Sequence, residues 1–306
     1  MAQAPGESAF LHIPVDTCLP ASIKKEMDAI FARVADQDFN RGPHVTFIQF
    51  SQLCYMLEDS PIDLTGKRCI DFGCGHERPF SIGALLHLAG AKTVMGIDFS
   101  PAASLEDVAF GVYSMLAYIL AKGCPANIAA LGIDAGDLRR RIGDFDLAQL
   151  FAGKITRVPD SLYSVIGNYR ELPAREREFD FLYSGSVLEH VADVDGLLAE
   201  FRRSIASDGR IVSTIDLRDH RIYGSLADNP WQFMIDDSDV SPGFTNKWRA
   251  SQFLDAFERN GFKVAKVNRV QQEPPARVLE QLLPTFQALS DDDLKTTELW
   301  VTLEPA

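Results

Sequence analysis

No run of apolar residues in this sequence approaches the roughly 20 needed to cross a bilayer, so a membrane-spanning protein is not expected. Cysteine is sparse as well. Cys18, Cys54, Cys69, Cys74 and Cys124 contain no C-x-x-C pair, and neither a zinc site nor a disulfide framework is indicated. Positive charge is in deficit: 30 Lys and Arg stand against 43 Asp and Glu, a formal net charge of −13 that repels phosphate backbones. Nucleic acid is therefore not an expected partner, and Arg139-Arg140-Arg141 reads as a solvated helix face. Internal repeats and low-complexity segments are missing. Residues 1–10 lack the basic-then-apolar order of a signal peptide, which points to the cytoplasm with no membrane partner.

What is present is an ordinary globular composition, with 46% hydrophobic and 24% charged residues over a chain of 306. Apolar spacing predicts helices over 21–35 and 45–57, a helical cap that ends near residue 63. From there the texture becomes strand-helix alternation. Strands are expected at Lys67–Phe72, Thr93–Asp98, Phe179–Ser184, Arg210–Ile215, Phe262–Val270 and Thr297–Leu303. Helices are expected at 81–89, 103–122, 195–205, 250–260 and 278–289, with Gly261 stopping the fourth of these. This alternation predicts an α/β fold, a doubly wound and mostly parallel sheet with helices on both faces. Residues 101–160 are too long for one crossover and read as a helical insertion above the sheet, a lid or an oligomer contact such as a homodimer would use. Domain 64–306 then carries the chemistry, with the insertion and cap forming an acceptor pocket.

Asp71-Phe72-Gly73-Cys74-Gly75-His76-Glu77 ends the first strand. Glycines there let the backbone approach a ligand and accept positive φ. A dinucleotide fingerprint would need glycine where Arg78 stands, and Glu77 would repel a pyrophosphate at the helix start, so NAD is disfavoured. Asp71 instead suits a ligand with a cationic end, such as an amino acid moiety. Asp98 closes the second strand, where a carboxylate can accept bonds from both hydroxyls of a ribose.

These residues resemble the first two motifs of the class I S-adenosylmethionine-dependent methyltransferases, whose glycine turn reads D/E-x-G-x-G-x-G; Glu77 replaces the last glycine. Gly167-Asn168-Tyr169-Arg170-Glu171-Leu172-Pro173 is similar to the next motif, with Asn168 in place of the acid that meets the adenine amino group. Phe179–Ser184 with Val187-Leu188-Glu189-His190-Val191 resembles the fourth strand and its turn, and Ser207-Asp208-Gly209-Arg210 the turn before the fifth. The resemblance implies a Rossmann-like seven-stranded sheet with its last strand antiparallel. It also implies S-adenosylmethionine as cofactor and S-adenosylhomocysteine as product. Cofactor contacts would fall to Asp71, Gly73, Cys74, Gly75, Asp98, Phe99, Asn168, Tyr169 and Ser184.

Methyl transfer is an in-line displacement, so the enzyme aligns the acceptor and takes its proton. Candidates lie after the fourth and fifth strands: His190, His220 and Asp216. Each has a plainer reading, as a turn-closing histidine, an exposed loop residue and a strand end; Glu189 shares the ambiguity of His190. Asp216, Asp219 and His220 could chelate a cation, yet the family's metal-dependent branch carries acids after the fourth strand, where this chain has Ser184. No metal is expected. Tyr223, Trp231, Phe233, Phe244 and Trp248 either clamp a planar acceptor or form a satellite core. Asp236, Asp237 and Asp239 either greet a cationic acceptor or form a solvated turn. The expected activity is O-methylation of a small-molecule acceptor, a metabolite, natural product or sugar. The alternatives are an aminopropyl-type transferase and a non-catalytic ligand-binding partner protein of the same fold.

Overall fold

The computed structural model describes residues 43–75, 80–100, 111–112, 115–116, 131–132, 135–146, 158–238 and 243–306. The helix expected over 21–35, the residues His76, Glu77 and Arg78, most of the stretch 103–122, residues 147–151 and Asp239 lie outside the described residues. Seven strands form one sheet: β1 (Arg68–Phe72), β2 (Thr93–Asp98), β3 (Leu162–Ile166), β4 (Phe179–Gly185), β5 (Ile205–Asp216), β6 (Phe262–Gln271) and β7 (Thr296–Pro305). Their order is β3-β2-β1-β4-β5-β7-β6. β2 runs parallel to β1 and β3, whereas β7 is antiparallel to both β5 and β6. This is the Rossmann-like arrangement expected, with the last strand reversed. The order turns back between β1 and β4, and in open α/β sheets ligands bind at the carboxyl ends of strands at such a point. Among the described residues no helix is long and apolar enough to cross a membrane.

Two compact units divide the chain, residues 1–183 and 184–306. In the first, helix α1 (Pro43–Leu57) buries Phe50, Leu53, Cys54, Met56 and Leu57. Helix α2 (Ser81–Leu88) is buried along its whole length. It starts after Phe80, a non-glycine residue at φ 70°, and the Asp71 carboxylate accepts a bond from the backbone N–H of Gly83 in its first turn. β3 escaped the sequence reading. It is an edge strand, and of its five residues (LYSVI) only Leu162 is buried, which leaves neither an apolar run nor a clean alternation to detect.

The described helix of the insertion, α3 (Ala135–Ile142), does not lie over the ligand end of the sheet. Arg141 turns inward and donates to the carbonyls of His87 (2.9 Å), Gly90 (3.0 Å) and Ala91 (3.3 Å), at the end of α2 and just beyond it. His87, itself buried, sits 3.0 Å from both Ser161 Oγ and Asp144 Oδ2. All of these groups precede β2 or β3, so α3 is anchored at the amino ends of those strands. The expected solvated arginine face holds for Arg140, which pairs with Asp137 at 3.0 Å, and fails for Arg141.

In the second unit, α4 (Val194–Ser204) is capped by Asp193, whose carboxylate accepts from Gly196 N. It passes into β5 without a separate turn because Ile205 is already extended, so the Ser207–Arg210 segment lies within the strand. α5 (Ala250–Arg259) ends at Gly261, at φ 80°, as expected from the sequence. The helix expected over 278–289 is broken into α6 (Ala276–Glu280) and a 3-10 turn at Pro284–Phe286. Pro284 holds Leu283 extended and brings no N–H of its own. A short helix, α7 (Asp291–Lys295), then leads into β7.

Candidate active site

The glycine turn grows directly out of β1. Gly73 N and Cys74 N both donate to Ile97 O, at 2.8 and 3.3 Å, which fastens the turn to the end of β2. Gly73 and Gly75 have φ of 71° and 77°, a region costly for residues with a Cβ. The Cys74 side chain packs toward β2, its Sγ 3.1 Å from where a Cβ on Gly96 would stand. Asp98 completes the turn: Oδ2 accepts from Gly75 N and Oδ1 from Ser100 N, both at 2.9 Å. Its backbone carbonyl accepts from Gly167 N at 2.9 Å, tying the third motif to the second.

Among the described residues, a Cβ added at Gly75 or at Gly167, where φ is 148°, would meet nothing within 4 Å. The two glycines flank Asp98, whose carboxylate and backbone carbonyl accept from their N–H groups. Phe99 and Ile166 stand at the ends of β2 and β3 with exposures of 75% and 59%, and Ile166 pairs in register with Asp98. Ile166 was not singled out from the sequence; the signal would have been the unrecognised β3. Asn168 uses Oδ1 to cap the following 3-10 turn through Arg170 N at 3.1 Å. Tyr169 is a core residue. Its ring packs edge-on against Phe72 and its hydroxyl donates to Arg177 O, which leaves its backbone as the part to meet a ligand.

Burial pushes the Asp71 carboxyl up from an ordinary 3.8 to about 7, with the charge of Asp98 adding to the shift and the Gly83 bond opposing it. Below about pH 4 the folded and unfolded states both hold this proton. Between about 4 and 7 the unfolded chain loses it first, so the folded state loses stability as pH rises and regains none above 7. Asp71→Asn is expected to remove that slope. Its melting temperature should match the native protein near pH 4 and exceed it by several degrees at pH 8, measured by circular dichroism. An identical pH dependence in both proteins would show that Asp71 is already ionised in the fold.

The second unit gathers a different set of groups. β4 ends at Gly185, and Ser186, at φ 55°, donates its N–H to Thr214 O at 2.7 Å. The turn Leu188–His190 is strapped down by Asn246, whose side-chain amide donates to Leu188 O and Val191 O and whose N–H donates to Glu189 O. Phe244 O accepts from Nδ1 of His190 at 2.7 Å; because a carbonyl only accepts, Nδ1 carries a proton, and in the neutral ring the lone pair is then on Nε2. The ring of His220 lies 4.8 Å from that of His190, inclined by 64°, with Tyr223 on its other side at 5.4 Å.

Asp216 closes β5 and is nearly buried. Arg218 donates to both of its oxygens, Tyr223 OH donates to Oδ2, and His220 Nε2 lies 3.6 Å from Oδ2. Burial alone would raise its carboxyl, but Arg218 and Tyr223 more than offset this and hold it below the usual carboxylate range. Burial pulls the His220 imidazole below its ordinary value; His190 and Arg218 act in the same direction against the pull of Asp216. Glu189 is buried at 3% exposure and pushed well above the usual range by that burial, with Asp216 contributing. Its Oε1 accepts from Asp216 N at 3.2 Å. Glu189 Oε2, His220 Nε2 and the buried Oγ of Ser184 have no hydrogen-bond partner among the described residues.

Other expected groups are engaged elsewhere. Asp219 and Asp236 both pair with Arg221, at 2.7 and 3.1 Å, and Asp237 pairs with Lys247 at 3.4 Å. The chelating trio Asp216, Asp219 and His220 therefore does not form, and Asp236 is no longer available to a polyamine. Trp231, Phe233 and Met234 pack with Val278 as a satellite core, whereas Tyr223 and Phe244 remain more than half exposed.

Fold and turn together define a doubly wound α/β protein with a glycine turn at the end of β1. Residues 51–267 match the family described as "Methyltransferase domain", and the chain belongs to that family. Over 109 residues it is 40% identical to ribosomal protein L11 methyltransferase of Actinobacillus pleuropneumoniae serotype 5b, covering 33% of this chain and 34% of that protein. The Histophilus somni (strain 2336) protein of the same name is 34% identical over 134 residues, 42% of this chain and 37% of that one. The matched region thus spans about a third of the length of these curated relatives. Among solved structures, the complex of the Haloferax volcanii Trm112 methyltransferase activator with a methyltransferase aligns at a TM-score of 0.46 and 15% identity, over 92% of this chain and 97% of that one.

Proposed function

We propose that this chain transfers the methyl group of S-adenosylmethionine to an oxygen of a small-molecule acceptor. The observation that carries the reading is the pair Gly75 and Gly167, whose N–H groups donate to the carboxylate and backbone carbonyl of Asp98. Asp98 would hold the ribose hydroxyls, and the backbone of Gly73, Cys74 and Gly75 with Asp71 the amino acid end. Phe99 and Ile166 would flank the base, with Asn168 and the Tyr169 backbone at its edge. When bound, the cofactor supplies an electrophilic methyl on a sulfonium centre. His190, His220 and Asp216 engage the acceptor. His190, His220 or Asp216 would orient the acceptor and take the proton from the oxygen that receives the methyl group.

A small acceptor is favoured by the net charge of −13 and by exposed aromatic surface beside the histidines: Tyr223, against His220, and Phe244, whose carbonyl holds His190, are 56% and 58% exposed. An aminopropyl transfer loses its support because Asp236 and Asp237 are paired with Arg221 and Lys247. The test is calorimetric titration with S-adenosylmethionine, S-adenosylhomocysteine and NAD. Methyl-labelled cofactor is then offered with a panel of hydroxylated small molecules and, separately, with ribosomal protein L11, the protein for which the sequence relatives are named. Micromolar binding of the two adenosyl ligands but not NAD, with label on a small molecule, is expected. Label on the protein alone would overturn the acceptor class, and binding of neither adenosyl ligand would overturn the reading.

A further inference from the structure

We propose that Glu189, His190 and His220 form a binding site for a divalent first-row transition ion, with coordination positions left open to an oxygen of the acceptor. One donor atom from each of the three residues lies within 4.8 Å of the other two, a separation that small side-chain movements reduce to the spacing of ligands on one ion. Two of the side-chain atoms, Glu189 Oε2 and His220 Nε2, are buried without a hydrogen-bond partner among the described residues, although His220 Nε2 lies 3.6 Å from Asp216 Oδ2. The buried carboxylates of Asp71, Asp216 and Asp219, in contrast, are hydrogen-bonded.

The surroundings are those of metal ligands rather than of a hydrogen-bonded cluster. Phe244 O holds Nδ1–H of His190, which fixes the tautomer and directs the Nε2 lone pair, the usual outer-shell partner of a ligating imidazole. Asp216 N holds the other oxygen of Glu189, and Asn246 clamps the backbone on either side of the pair. The competing carboxylates are removed, Asp216 by Arg218 and Tyr223 and Asp219 by Arg221, so the set is two imidazoles and one carboxylate. That set suits zinc, iron, cobalt or manganese and leaves open positions on each. Magnesium and calcium, which prefer all-oxygen shells, fit it poorly.

The part of this inference that concerns the acceptor rests on the histidines engaging it, as proposed above; ion binding itself does not. The experiment therefore omits cofactor and acceptor. Untagged protein is stripped with EDTA, desalted, and titrated with cobalt(II) while the visible absorption of the ion is followed, with bound metal counted by mass spectrometry. One ion per chain is expected. Affinity should fall at least tenfold in Glu189→Gln, His190→Gln and His220→Gln and stay unchanged in Asp237→Asn, with circular dichroism checking that each variant is folded. If a folded native protein takes up no cobalt, or all three variants bind it as the native protein does, the site does not exist, and the methyl-transfer reading stands or falls on its own test.

Discussion

Asp98→Ala is expected to weaken S-adenosylmethionine binding by about 2–3 kcal/mol, roughly 30- to 150-fold in Kd, measured by calorimetric titration. The loss has two sources. The carboxylate would accept bonds from the ribose, each worth more than a neutral pair because the acceptor is charged. It also builds the site before any ligand arrives, since its two oxygens hold Gly75 N and Ser100 N at 2.9 Å. Without it, Gly75 keeps its positive φ with no bond to enforce it, and the turn must be ordered at the expense of binding energy. Asp98→Asn, which keeps one acceptor oxygen, should fall between. If the alanine variant binds as the native protein does, the ribose lies elsewhere and the role assigned to Asp98 is wrong.

Arg249→Met is expected to lower the free energy of unfolding by at least about 3 kcal/mol, measured by urea denaturation. Arg249 is 1% exposed and spans three backbone carbonyls: Nη1 donates to Leu217 O at 2.7 Å, Nε and Nη2 donate to Asp293 O, and Nη2 donates to Thr296 O. Burial lowers its pKa to about 10, against the attraction of Asp293 and Asp216, so it stays charged at neutral pH. The fork ties the start of α5 to the residue after β5 and to the junction of α7 with β7. Methionine fills much of the volume but leaves those carbonyls buried and without a donor. Arg249→Lys should rescue little, because one ammonium cannot reach carbonyls spread across a planar fork. A loss below about 1 kcal/mol in the methionine variant would mean that water enters and replaces the guanidinium.

Arg249 also marks the limit of what the chain discloses before it folds. Nothing in Lys247-Trp248-Arg249-Ala250 distinguishes it from a surface arginine, and the same is true of Arg141 and Arg221. The acids near β5 show the same limit from the other side. Asp216, Asp219 and Asp236 look equally available in the sequence, but arginines claim all three, and Glu189, 27 positions before Asp216, keeps an oxygen free.

Sequence by itself determined the features whose causes are local. Apolar runs and their spacing set most of the strands and helices, and glycine at the end of β1 set a turn that only left-handed backbone can make. Asp98 followed from its place at a strand end. Tertiary structure decided β3, the anchoring of α3, the broken helix before Pro284, and which polar groups near His190 are free. The physical reason is one of range. Backbone conformation and periodicity act over a few residues and leave a pattern in the sequence, whereas a hydrogen bond or ion pair between residues 27, 44 or 51 positions apart leaves none.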